Sequence, residues 1–304
     1  MNSQPQTATA EEFDRLRPYL LRVAYSHLGS VSEAEDVVQD AWLRLTGARG
    51  EVIRDLRAWL TTVVSRLAVD ALTSARARRE QYVGPWLPEP LVEHSPIDGD
   101  PAVRTEMDES VSMALLVVLE SLSPAERSSF LLHDVFGYPF DEVSEIVGRT
   151  PAATRQLASR ARRAVADRRP RKPAHIDEQR KVVTAFAEAV EGGDLVSLMK
   201  LLDPAVCFRS DGGGTVNAAR RPFGGAARVA QIFTALARHF GDRLLTAPLL
   251  VNGDPGLCLK TGNSPGIVAF TLDDGLITEI NVVRNPDKLR RAVFTARGLS
   301  AERP

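Results

Sequence analysis

The chain has 304 residues, 38 Lys and Arg against 39 Asp and Glu, and a hydrophobic fraction of 44%. That composition excludes a disordered or fibrous chain, and its longest apolar run, Met113 to Leu119, falls far short of the ~18 residues a membrane span needs. Two cysteines, Cys207 and Cys258, exclude a disulfide scaffold and a four-cysteine zinc site. The near-neutral balance argues against indiscriminate polyanion binding, and the length predicts two or three domains. The start, MNSQPQTATAEEF, lacks the basic and apolar segments of a secretory signal, so a cytoplasmic protein is expected.

Residues 11–83 read as helical throughout. Ala34, Val37, Val38, Ala41, Trp42 and Leu45 recur at helical spacing and predict a buried face. The opposite face carries Asp36, Gln39, Asp40 and Leu43, either a solvated surface or a partner's contact. The next helix is expected to bury Leu60, Val63, Val64, Leu67 and Ala71 and to turn Trp59, Arg66 and Asp70 outward, with Arg76, Arg78 and Arg79 at its end. A Trp among arginines suits stacking on unpaired bases and contact with phosphates. The alternative is a core Trp, with arginines complementing the helix C-terminus. Residues 84–109, rich in Pro, Gly and acidic side chains, read as a linker between two basic patches, Arg57–Arg79 and Arg149–Lys172.

Residues 140–165 carry a sharper pattern. A short helix with Val143, Ile146 and Val147 inward stops at Gly148, Thr150 caps a second helix, and Pro151 takes its first position. The second helix is expected to bury Leu157, Ala158, Ala161, Ala164 and Val165 and to present Arg155, Gln156, Ser159, Arg160, Arg162 and Arg163. That is a helix-turn-helix whose second helix suits the DNA major groove, where Arg reads guanine and Gln adenine. The basic RRPRKP segment (168–173) closes this half. The tail then changes character, with helices at 176–191, 194–202 and 226–240 and strands at 244–251, 257–261, 266–272 and 276–284, joined by NGDPG, GNSPG and DDG turns. It reads as α+β with an antiparallel meander.

Order and spacing resemble the extracytoplasmic-function (ECF) sigma factors of bacterial RNA polymerase. SEAEDVVQDAWLRL (32–45) is similar to the region-2 helix that docks on the polymerase, and AWLTTVVSRLAVDALTSARARRE (58–80) to the segment that melts and reads the −10 element. Residues 119–165 resemble region 4, which reads the −35 element. Two positions depart from the family pattern: Arg66 stands where Asn is common, and Leu157 where a basic residue is frequent. The tail resembles a subgroup with a SnoaL-like domain fused after region 4, through WLPEP (86–90), DGGG (211–214) and NPDKL (285–289).

The resemblance implies a multidomain chain: two all-α sigma domains (8–83 and 110–169, the second with the helix-turn-helix), an acidic linker (84–109) and an α+β SnoaL-like cone domain (174–298). It implies a non-enzymatic initiation factor without cofactor or metal. Its partners would be core RNA polymerase, through Asp36, Gln39, Asp40 and Leu43, and promoter DNA. Trp59, Arg66, Asp70, Arg76, Arg78 and Arg79 would engage the −10 strand, and Arg155, Gln156, Ser159, Arg160 and Arg163 the −35 duplex. In the tail, Trp86, Asp211, Gly212, Gly213, Asn285, Pro286, Asp287, Lys288 and Leu289 would make a regulatory contact within the chain, and a small ligand in the cone stays open. Pro286 blocks strand pairing, so this segment is expected to leave the sheet. Candidates for catalysis are thin (His175, His239, Asp211), and the GGG run lacks the Lys and Ser/Thr of a phosphate loop. The rival readings are a one-component DNA-binding regulator that senses a ligand in the tail, and an enzyme tethered to DNA.

Overall fold

The structure, a computed structural model, describes residues 4–48, 53–93, 111–168, 170–172 and 174–295, the side chains of 4–9, 76–78, 80, 93 and 291–295 excepted. The chain forms two compact units. Of the described residues, the first gathers those up to Glu80 with Val111 and Val118–Arg168, and the second gathers 81–93, Ser112–Val117 and those after Arg169.

The first unit begins with three helices, α1 (Gln4–Leu28), α2 (Val31–Gly47) and α3 (Leu56–Glu80). Gly29, at φ 65°, reverses the chain after α1, and the Ser30 hydroxyl caps α2 by accepting the Glu33 N–H at 3.4 Å. Leu20, Val23, Ala24 and Leu28 of α1 are buried, as are Ala34, Val37, Val38 and Ala41 of α2. Trp42 is only half-buried and tilts against Phe13, ring centroids 4.9 Å apart. On α3 the buried stripe is Leu60, Val64, Ala68, Leu72 and Ala75, following the i, i+4 ridge. Val63, Leu67 and Ala71, expected in the core, lie half-buried on its flank, and Trp59, expected outside, is half-buried too.

His27 closes this core. It is fully buried, its Nδ1 2.8 Å from the Val23 carbonyl, while Nε2 has no partner among the described residues. Burial, with Arg127 nearby, pushes its pKa down to about 4. The folded pKa lies below the ordinary value near 6.5, so the unfolded chain binds the proton first. Stability is therefore full above pH 6.5 and falls by about 3 kcal/mol as pH drops to 4. Chemical denaturation of the intact chain and a His27→Leu variant at pH 7 and pH 4 should show the variant losing less stability on acidification.

The rest of the unit comprises the end of α4 (Met113–Leu119), α5 (Pro124–Phe130), a π-helical turn (Leu131–Val135), α6 (Phe140–Val147) and α7 (Pro151–Arg168). A reciprocal Ser123–Glu126 capping box starts α5. Gly148 ends α6 at φ 66°, and the Thr150 hydroxyl accepts the Ala153 N–H at 3.2 Å to start α7. Val143 and Ile146 are buried with Leu132, and Val147 packs at their edge. On α7 the buried residues are Thr154, Ala158 and Ala161. Leu157, Ala164 and Val165, expected in the core, are half-buried. Small residues let α7 approach α5 closely and leave the larger side chains at the margin.

The second unit is built on one seven-stranded sheet: β1 (Val92–Glu93), β2 (Leu202–Asp211), β3 (Phe223–Gly224), β4 (Leu244–Val251), β5 (Asp254–Thr261), β6 (Ser264–Asp273) and β7 (Leu276–Val283), in the order β1-β4-β5-β6-β7-β2-β3. The β4–β5 and β6–β7 hairpins turn on Asn252-Gly253 and Asp274-Gly275, all four at positive φ, the two-residue turns that match strand twist. The meander is thus antiparallel as expected, but β2 pairs with β7 in parallel, a crossover that hairpin chemistry does not announce. With the start of α4, helices α8 (Ile176–Glu191), α9 (Leu195–Leu201), α10 (Ala226–Phe240) and α11 (Pro286–Thr295) pack around the sheet.

Both sheet faces are apolar. Leu257, Leu259, Val268, Phe270 and Val282 pack under α8 and α10 around Phe186 and Phe233. The alternate residues Cys258, Ile267, Ala269 and Val283 form a second core with Leu87, Met113, Val117 and Leu289. The segment expected to be a plain linker therefore departs from that reading: Leu87 to Pro90 are buried, and β1 extends the sheet against β4.

Candidate functional site

On α2, Asp36, Gln39 and Asp40 are exposed and Leu43 is 59% exposed. They share one outward face, one to two turns apart. On α7, Arg155, Gln156, Arg160 and Arg163 are exposed and Ser159 half-exposed. Arg155 also lies over the Phe140 ring, 5.5 Å from its centroid, which holds the start of α7 to α6. Arg162 points elsewhere, its Nε donating to Asp134 at 2.6 Å. Arg160 lies 3.9 Å from Glu126, too long for more than a weak pairing at an exposed site.

The α3 residues have a different setting. Asp70 is exposed, but the Arg66 guanidinium donates to the Glu145 carbonyl of α6 at 3.3 Å. Arg79 donates to Glu120 at 2.6 Å and to the Leu28 carbonyl at 2.6 Å. Burial depresses its pKa, opposed chiefly by Glu120. Glu120 also accepts from Arg127 at 2.5 Å, and Arg127, 1% exposed, reaches back to the Ser26 carbonyl of α1. One carboxylate thus joins two arginines, one from each half of the helical unit. The side chains of Arg76 and Arg78 lie outside the described residues.

The tail motifs converge on Asp211, which is fully buried at the end of β2. Its Oδ1 accepts from the Tyr82 hydroxyl at 2.5 Å and the Gly213 N–H at 3.0 Å. Its Oδ2 accepts from the Leu87 N–H at 2.9 Å and Lys288 Nζ at 2.7 Å. Four donors fill the carboxylate's capacity. Lys288 Nζ also donates to the Leu87 carbonyl and sits 3.9 Å from the centroid of the Trp86 ring. Asn285 donates to the Tyr82 hydroxyl at 2.8 Å and accepts the Asp287 N–H, starting α11 at Pro286 where the chain leaves the sheet. Burial, with Asp211 beside it, pushes the Tyr82 phenol well up.

Glycine is required at two points here. A Cβ on Gly213, at φ 65°, would lie 2.5 Å from Asn285, and one on Gly212 would lie 2.2 Å from the Val216 carbonyl. Leu289 is buried in the core that holds Leu87. Asp287 is the exception in its motif, facing solvent and, among the described residues, pairing with Arg290 at 2.7 Å.

Sequence reasoning missed Tyr82, Leu87, Asn252 and Met113. Asn252 exchanges hydrogen bonds with Leu91, its Oδ1 accepting the Leu91 N–H and its own N–H donating to the Leu91 carbonyl. The overlooked signal was the unbroken apolar run Ile267–Phe270, which marks a strand covered on both faces. Among the described residues no cluster fit to hold a metal ion occurs, and no helix is long and apolar enough to cross a membrane.

Comparison with known proteins agrees with this layout. The Sigma-70 region 2 family model matches residues 13–78, and the Sigma-70 region 4 model residues 112–165. The ECF RNA polymerase sigma factor SigJ of Mycobacterium tuberculosis (strain ATCC 25618 / H37Rv) is 42% identical over 94% of this chain and 97% of its own length. The probable ECF sigma factor SigI of Mycobacterium tuberculosis (strain CDC 1551 / Oshkosh) is 36% identical over 90% and 92%. The crystal structure of Mycobacterium tuberculosis SigJ superposes with a TM-score of 0.75 at 38% identity, covering 92% of this chain and 98% of that one. The chain belongs to the ECF RNA polymerase sigma factors, initiation factors and not enzymes, which bring core RNA polymerase to promoter DNA, and it carries an α+β domain behind region 4.

Proposed function

We propose that the structure is the resting form of the sigma factor, in which the C-terminal unit keeps regions 2 and 4 together by holding the linker between them. The observation that carries this reading is that Leu87, near the start of the linker, and Met113, just after its end, lie in one hydrophobic core. By their names the −10 and −35 elements lie about 25 base pairs apart, roughly 85 Å of duplex at 3.4 Å per base pair. Residues 81–112 fully extended reach roughly 105 Å at about 3.3 Å each, enough to span that distance. With Leu87 and Met113 held in one core, the two ends of that segment stay within a unit of about 160 residues, roughly 40 Å across, and fall short. The Arg66 and Arg79 contacts support the same reading, because two side chains assigned to the −10 strand are engaged by region 4.

In the active form Asp36, Gln39, Asp40 and Leu43 dock on core polymerase, and Trp59, Arg66, Asp70, Arg76, Arg78 and Arg79 engage the −10 strand. Arg155, Gln156, Ser159, Arg160 and Arg163 face the −35 duplex. Arg155→Ala and Arg160→Ala should each weaken −35-dependent transcription by about 1–3 kcal/mol, roughly 5- to 150-fold, if they read bases. Promoter strength in vitro that is unchanged in both would remove α7 from this role.

The regulatory contact consists of Trp86, Asp211, Gly212, Gly213, Asn285, Pro286, Lys288 and Leu289, with Tyr82 and Leu87 added and Asp287 set aside. Run-off transcription with purified core polymerase tests it: Lys288→Met should raise transcript yield at an unchanged start site, and Asp287→Asn should leave it as it was. A yield that falls or stays level with Lys288→Met contradicts the reading. The SnoaL-like cavity is where a small ligand would act on this hold.

A further inference from the structure

A cavity of about 310 Å³ opens between α10 and the sheet, walled by Phe208, Phe223, Phe233 and Leu236 and entered by Ser210 and Arg284. Its size is at the lower end of small-molecule sites, and its lining is mostly apolar with few convergent polar groups. Arg284 is the unexplained part. Its guanidinium donates to the Asn217 carbonyl at 2.8 Å and to the Thr261 and Ser264 hydroxyls at 3.2 and 3.3 Å, all neutral acceptors. Among the described residues it makes no ion pair, and burial alone lowers its pKa. A half-buried guanidinium without a counter-charge beside an apolar cavity is costly unless an anion completes it.

Gly266 keeps the space open for it, since a Cβ there would lie 3.1 Å from Arg284 Cγ. The Ser210 hydroxyl on the same wall makes no hydrogen bond among the described residues, leaving a second polar group for the ligand. The cavity also abuts the linker's anchor. Ser210 precedes Asp211 and Arg284 precedes Asn285 in the chain, and the Arg284 N–H donates to the Asp211 carbonyl at 2.7 Å.

We propose that this cavity is an effector site for a small monocarboxylate with an apolar, ring-sized body, its carboxylate on Arg284 and its body among the three phenylalanines. A ligand there presses on the two strand ends that grip Tyr82 and Leu87, an effect that rests on the reading of the C-terminal unit as the holder of the linker.

The test uses the full chain with 2-naphthoate and its uncharged analogue 2-naphthamide, titrated calorimetrically. Naphthoate should bind at least about 10-fold more tightly than the amide, and Arg284→Gln should remove that preference while Arg284→Lys keeps most of it. Equal affinities for acid and amide, no binding of the acid, or a preference that survives Arg284→Gln overturns the site. The comparison of acid with amide on the unaltered chain decides this even if a variant fails to fold. Run-off transcription with and without naphthoate then separates the two readings. A change in yield supports the effector role, whereas selective binding with constant yield overturns that role and leaves the carboxylate site standing.

Discussion

Lys288→Met is expected to destabilise the C-terminal unit by about 3–5 kcal/mol, the usual cost of leaving one member of a buried ion pair alone. Asp211 is fully buried, and Lys288 is the only cation that reaches it among the described residues. The Tyr82, Leu87 and Gly213 donors would remain, but they are neutral and do not offset a buried charge. The same substitution removes the ammonium from the Trp86 face and from the Leu87 carbonyl, so the linker loses its grip along with the unit's stability. The double variant Asp211→Asn/Lys288→Met should recover much of the loss, because a neutral pair has no charge to strand. Chemical denaturation of the two single variants and the double checks this, and additive losses would show that the pair is not coupled.

Glu120→Ala should have an effect of similar size in the helical unit, about 3–5 kcal/mol. It strands Arg127, which is 1% exposed, and takes from Arg79 its short carboxylate partner, while the bond to the Leu28 carbonyl and the longer pairing with Glu33 at 3.7 Å remain. The consequence for function runs the other way. Glu120 is the carboxylate through which region 4 engages Arg79 of α3, so its loss favours separation of regions 2 and 4. Affinity for core polymerase should rise by roughly 10- to 100-fold if the resting form is the one penalised. Weaker polymerase binding by a variant that still folds would place Glu120 in the active form instead.

Much of this architecture was legible because its signals are local. Gly148, Thr150 and Pro151 each act on their own stretch of chain, so the helix-turn-helix followed from three residues. The Asn-Gly and Asp-Gly turns located the hairpins for the same reason. What escaped depends on partners distant in sequence. The parallel pairing of β2 with β7 needs a crossover that no turn residue signals, and the bond from Arg79 to Glu120 spans 41 residues. An arginine that rests on a carboxylate reads in the sequence like one that would rest on a phosphate, since both partners are anionic.

The linker shows the limit most clearly. Pro, Gly and acidic residues marked it as a spacer, yet Leu87 to Pro90 are buried and β1 joins the sheet. Only the two-sided burial of β5 and β6 reveals that the sheet needs a cover, and Leu87, Met113 and Leu289 supply it. Of the motif residues, Trp86, Asp211, Gly213, Asn285 and Lys288 meet in the structure while Asp287 faces solvent, a difference that a short run of charged residues does not signal.

Hydrogen exchange at the amides of Leu250 and Asn252 tests the holding of the linker most directly, in the free chain and in a transcribing complex with core polymerase and promoter. These amides lie where β1 joins the sheet, and the Asn252 N–H donates to the Leu91 carbonyl at 2.8 Å. They report on the linker's departure without travelling with it. Protection in the free chain that falls to that of an open strand edge in the complex is the predicted result. Unchanged protection in a complex that makes transcripts would show that the factor works with its linker still held, and the resting-form account would be wrong.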